Sequence, residues 1–195
     1  MLQNIKLIGA IAVVGFVGYS MLSGSSSEQT ADLGQVLDRT EFVMVNYQEY
    51  LGEAGVTEIT DAEMAEFKDF YVTVLNTEPR FYNKPLGLEV MDDAMFLGFA
   101  DENANGVQDA NEGKVFTVEI DEENRRLIAT DVAGNASGLQ FSATGFLAGA
   151  LVGSLINRQR AAGITRSSFN NRNATPRSNY RAPSSARSGG PRSGK

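Results

Sequence analysis

The 195-residue chain contains no cysteine, no histidine and no tryptophan. The missing histidine excludes Ser-His-Asp and Cys-His nucleophiles, His-ligated zinc and imidazole acid–base catalysis. The missing cysteine excludes disulfides, iron–sulfur clusters and thiol redox chemistry, and leaves no cysteine signature of the redox compartment. Acid is missing from one end of the chain. From Asn157 to Lys195 there are nine Lys/Arg and no Asp or Glu, whereas residues 1–156 hold all 24 acids and eight bases. The net charge of −7 therefore divides into −16 and +9, the pattern of a folded acidic body with a basic interaction tail.

Four regions follow from the hydropathy pattern. Residues 1–26 carry one charge, Lys6, then an uncharged run from Leu7 to Leu22 and a Ser/Gly linker. As a helix that run would reach about 24 Å, against a hydrocarbon core of about 30 Å. Two readings stay open for it, a retained signal anchor or a cleaved signal peptide. Residues 28–138 read as an acidic α+β domain. Leu33, Val36, Leu37, Phe42, Val43, Tyr47 and Leu51 recur at helical spacing. After Gly55, Thr60 and Glu63 form a capping-box pattern ahead of Met64, Phe67, Phe70, Tyr71 and Val74. KVFTVEID and LIATDV then alternate on either side of Glu122-Glu123-Asn124, which predicts a small antiparallel hairpin.

Residues 139–156 are uncharged and place Gly145, Gly149 and Gly153 four apart. This predicts a glycine-zipper-like hydrophobic helix, packing in a membrane against a second copy or another membrane subunit. Residues 157–195 are rich in Gly, Ser, Asn and Arg and read as a basic disordered tail. Its spaced arginines, Arg166, Arg172, Arg177, Arg181, Arg187 and Arg192, are candidate anion-binding residues. Anionic lipid or a protein partner is the favoured ligand, with nucleic acid as the weaker choice.

One segment carries a chemical motif. Asp101-Glu-Asn103-Ala-Asn105-Gly106-Val107-Gln-Asp109-Ala-Asn-Glu112 fits D-x-[DN]-x-[DN]-G with an acid at the twelfth position. It resembles an EF-hand-type calcium loop, in the bacterial surface-module variant where a strand follows the loop. The resemblance covers residues 101–112 only. Carried over, it implies Ca²⁺ held by Asp101, Asn103, Asn105, the Val107 carbonyl, Asp109 and Glu112. With three carboxylates and two neutral carboxamides, the expected affinity is weak, on the order of 10⁻⁴–10⁻³ M, and the role structural.

The function expected from these features is non-enzymatic. The first reading is a membrane-anchored protein of a bacterial cell envelope with a scaffolding or assembly role. Its acidic domain would be periplasmic or extracellular and its basic tail cytoplasmic, because positive flanks stay inside. The alternative is an exported, soluble, calcium-dependent binding module with a polyanion-binding tail.

Overall fold

The structure is a computed structural model that describes residues 30–141, 149–184 and 186. Helix α1 spans Leu33–Glu53 and α2 spans Asp61–Leu75. Asp32 caps α1 by accepting from the Gly34 and Gln35 amides at 2.9 and 3.3 Å, which satisfies two donors that no helical carbonyl can reach. At α2, Thr60 accepts from the Ala62 amide while the Glu63 carboxylate accepts from the Thr60 amide at 2.9 Å.

Strands β1 (Leu86–Val90), β2 (Phe96–Ala100), β3 (Lys114–Asp121), β4 (Arg126–Asp131) and β5 (Ala136–Gln140) pair in sequence order as an antiparallel meander. A two-residue strand β6, Thr175–Pro176, joins the far edge parallel to β5. The helices lie on one face of this sheet. Tyr47 stacks on Phe67 at 5.4 Å between centroids, and Phe67 and Tyr71 both meet Phe96 of β2, at 5.7 and 5.6 Å. The Tyr71 hydroxyl, buried in this cluster, is hydrogen-bonded to Thr40. Strand alternation sends Leu97, Phe99 and Ile128 to the opposite face, yet all three are almost fully buried. β2 is thus buried on both sides.

Two cross-strand pairs match a glycine with a phenylalanine, Gly87 with Phe99 and Gly98 with Phe116. A Cβ on Gly98 would lie 2.3 Å from the Phe116 ring, and one on Gly87 would lie 2.2 Å from the Phe99 ring. The rings lie over bare backbone and fill the place of the missing side chains.

The mixed α+β class holds, with three α-helices and six strands among the described residues. The expected small hairpin is the β3–β4 portion of a larger sheet. Several other expectations are corrected. Among the described residues no helix is long and apolar enough to cross a membrane. The segment expected to be a membrane helix over 139–156 ends β5 at its start. It enters helix α3, Ala150–Ala161, only later. Twelve residues reach about 18 Å, well short of a hydrocarbon core of about 30 Å. One stripe of α3, comprising Leu151, Val152, Leu155, Ile156 and Gln159, is buried, and the helix packs on α1. The membrane-anchored reading, with its periplasmic or extracellular domain and cytoplasmic tail, loses its structural support. The segment expected to be an anchor, residues 1–26, lies outside the described residues.

The glycine zipper is corrected too. Gly149 caps α3 from outside, against the Gln48 amide. Gly153 faces open space, and Gly145 lies outside the described residues. Since nothing stands within 4 Å of a Cβ at Gly153, Gly153→Ala should stabilise the protein by about 0.5–1 kcal/mol in urea unfolding. A helix-packing glycine would give loss instead.

The basic segment expected to be disordered is ordered over its described residues, 157–184 and 186. Beyond α3 it forms a 3-10 turn, Arg166–Phe169, then β6, and it buries Phe169 and Tyr180. Its composition is poor in apolar residues, but its arginines find acids on the body. Charge complementarity across long sequence separations replaces the hydrophobic content that order normally requires.

Candidate functional site

The Asp101–Glu112 loop joins β2 to β3, and its two ends are its most buried residues: Asp101 is 5% exposed and Glu112 6%. Both carboxylates hold backbone amides with both oxygens. Asp101 accepts from the Asn105 and Gly106 amides at 3.0 and 2.9 Å, and Glu112 from the Glu102 and Asp109 amides at 2.9 and 3.0 Å. Each acid therefore draws the opposite part of the loop inward. Gly106 has a φ of +74°, which lets the chain reverse at the sixth position. Asn103 and Asn105 continue the pattern, accepting from the amides two residues on at 3.0 and 2.8 Å.

The interior of the loop is closed by Asp109. Its Oδ2 accepts from the side-chain amides of Asn103 and Asn105 at 2.7 and 3.0 Å. All six residues expected from the motif thus sit in one turn, five of them through their side chains. The backbone of Val107 is part of that turn, while its side chain is 57% exposed. Among the described residues, no Lys or Arg pairs with Asp101, Asp109 or Glu112. Nor do three acids converge closely enough there to hold a metal through carboxylates alone. Any cation would need the carboxamide and carbonyl oxygens as well.

The loop is anchored to β1 by residues that sequence reasoning missed. The Gln108 amide donates to Glu89 at 3.3 Å, the Asp101 amide to the Pro85 carbonyl at 3.0 Å, and Lys84 pairs with Glu102. Only the charge of Lys84 and Glu89 was visible in the sequence. Their position beside the loop depends on the β1–β2 pairing.

The candidate anion-binding arginines have a different fate. Arg172 bonds Glu119 at 2.9 Å, and Arg177 clasps Asp38 through Nε, at 2.9 Å, and through Nη2. Two further basic residues of the segment act alike, Arg160 on Glu122 at 3.0 Å and Arg158 near Asp61 at 3.8 Å. Arg181 donates to the Tyr180 carbonyl. The Arg166 side chain, Arg187 and Arg192 lie outside the described residues. Burial lifts the Glu119 carboxyl above the usual range, with Arg172 pulling it back. The bond to Asp38 raises Arg177 further. The structure brings the six residues of the Asp101–Glu112 motif together; among the described residues it does not gather Arg172, Arg177 and Arg181 into one anion site. Comparison with family models, curated proteins and solved structures finds no match to this chain.

Proposed function

We propose that the chain is a non-enzymatic, calcium-dependent binding module whose β2–β3 loop holds one weak structural Ca²⁺. The observation that supports this most is the pair of buried carboxylates, Asp101 and Glu112. They close the loop from both ends, and no cation balances them among the described residues. The donors on offer are all oxygen: three carboxylates, two carboxamides and the Val107 carbonyl. That set suits a hard cation that takes six to eight oxygen ligands in a flexible shell. In the structure the Asn103 and Asn105 amides turn their NH₂ groups to Asp109. Loading the site would swing those carboxamides so that oxygen faces the ion. A dissociation constant of about 10⁻⁴–10⁻³ M places such a site where calcium is millimolar, as outside cells.

The polyanion-binding reading of the basic segment has less support, because Arg172 and Arg177 already have carboxylate partners within the chain.

Thermal melting with added salts tests the proposal. At ten times the dissociation constant, Ca²⁺ should stabilise the fold by about 1.4 kcal/mol. For a domain of this size that raises the melting temperature by about 3–6 °C. Mg²⁺ should do less, since it demands a tight octahedral shell and keeps its water. Glu112→Gln should abolish the increment, and Glu102→Gln, whose partner is the exposed Lys84, should retain it. Identical melting of wild type and Glu112→Gln across about 0–10 mM Ca²⁺, a range that brackets the expected affinity, would show the loop to be an acidic turn only.

A further inference from the structure

Residues 172–181 cross the molecule as a short strand followed by a turn, held by ion pairs at Arg172 and Arg177 and by the buried Tyr180. Arg172 reaches Glu119 on the sheet face away from the helices. Thr175 and Pro176 then add parallel pairing to β5 at Ser137 and Gly138, and Arg177 turns onto Asp38 of α1. The Tyr180 hydroxyl accepts from the Leu33 amide at 3.2 Å, completing the first turn of α1 beside the Asp32 cap. Further bonds tie it to the sheet: Arg177 N to the Gly138 carbonyl at 2.7 Å, Ser137 Oγ to the Thr175 carbonyl at 3.1 Å, and Arg126 Nη2 to the Arg172 carbonyl at 3.2 Å.

Two residues make a very short strand, since strands usually run three to ten or so. The ion pairs that flank it reach water. Arg172 and Glu119 side chains are 51% and 16% exposed, and those of Arg177 and Asp38 are 31% and 38%. Pairs this exposed weaken as dissolved ions screen them. The core beneath is built mainly from α1, α2, β1–β4 and α3, and the segment adds the Tyr180 ring at its margin.

We propose that residues 166–184 form a charge-latched strap. Closed, it covers the Ser137–Gly138 edge of β5 and completes the N-terminus of α1. As its ion pairs are screened it opens ahead of the rest of the fold, baring a strand edge together with Arg172 and Arg177. The inference is independent of the calcium reading, because the strap and the Asp101–Glu112 loop share no residue.

Hydrogen exchange on the full chain tests it. Raising NaCl from about 0.02 to about 0.5 M shortens the screening length from roughly 20 Å to roughly 4 Å. Exchange of residues 172–181 and of Leu33–Val36 should then speed by about five- to tenfold, as in a local opening, while β3 and β4 keep their rates. Asp38→Asn combined with Glu119→Gln should give the fast exchange at both salt concentrations. Exchange of residues 172–181 that ignores salt in the wild-type chain would overturn the strap, as would acceleration only in step with β3 and β4. The wild-type salt series decides the matter even if the double variant does not fold.

Discussion

Replacing Arg39 by methionine should destabilise the protein by at least about 3 kcal/mol, the scale of several lost charged hydrogen bonds, each worth roughly 1.5–3 kcal/mol. Arg39 is 1% exposed on the inner face of α1. Its Nη1 donates to the Val74, Leu75 and Thr77 carbonyls at 2.8, 2.7 and 3.1 Å, and Nη2 to the Pro79 carbonyl at 2.7 Å. Val74 and Leu75 end α2, where the dipole is negative; the Val74 carbonyl also accepts from the Thr77 amide at 3.2 Å. One cation thus caps α2 and ties down the chain that leaves it. The guanidinium also lies 4.8 Å from the centroid of the Phe81 ring. Burial lowers its pKa to about 10, so it remains charged at neutral pH. Methionine keeps most of the stem and removes every donor, so packing loss stays small. Lysine should fall between, since it keeps the charge but lacks the planar fork that spans several acceptors. Urea unfolding measures both variants. Stability of the methionine variant within about 0.5 kcal/mol of wild type, the range of an ordinary surface change, would mean that the carbonyls find other donors and the clamp is dispensable.

The second large effect should come from Gly98→Val, at about 3 kcal/mol, the upper end for overpacking a core. The new Cβ meets the Phe116 ring at 2.3 Å, and Phe116 is 1% exposed, with no room to swing aside. The backbone cannot retreat either, because Gly98 pairs with Leu88 on one side and Phe116 on the other. Phe116→Leu in the same chain should recover part of the loss, leaving the double variant more stable than the sum of the two single losses allows. Additive losses in the double-mutant cycle would refute the ring-over-glycine account.

These two residues also show where the sequence was legible. An α+β class could be read from the change of period between the helical and alternating segments. The Asp101–Glu112 spacing drew attention to one turn because every residue concerned is local. Arg39 sits within the buried stripe of α1, among Val36, Leu37, Thr40 and Val43, and a lone cation there was a readable sign of buried acceptors. Those acceptors are carbonyls 35 to 40 residues away, so their identity was not readable. β2 was ambiguous because a strand buried on both faces does not alternate, and its glycine looks like a turn residue until Phe116 is placed over it. The basic segment misled for the same reason at longer range. Arg177 and Asp38 lie 139 residues apart, and composition alone cannot pair them.

The bond from Leu33 to Tyr180 spans 147 positions of the chain and has a consequence for its connectivity. Leu33 at the start of α1 and Tyr180 near the end of the described residues are neighbours in space, so the two ends of the described body lie close together. Neighbouring ends are what permit circular permutation. Joining the two ends with a short Gly/Ser bridge and reopening the chain at the Glu122–Asn124 turn would keep the residues of every strand pair in place. It would also make β4, β5 and the arginine-bearing segment the first part synthesised and the β2–β3 hairpin with its Asp101–Glu112 loop the last. The same architecture would then be reached with its two halves made in the opposite order.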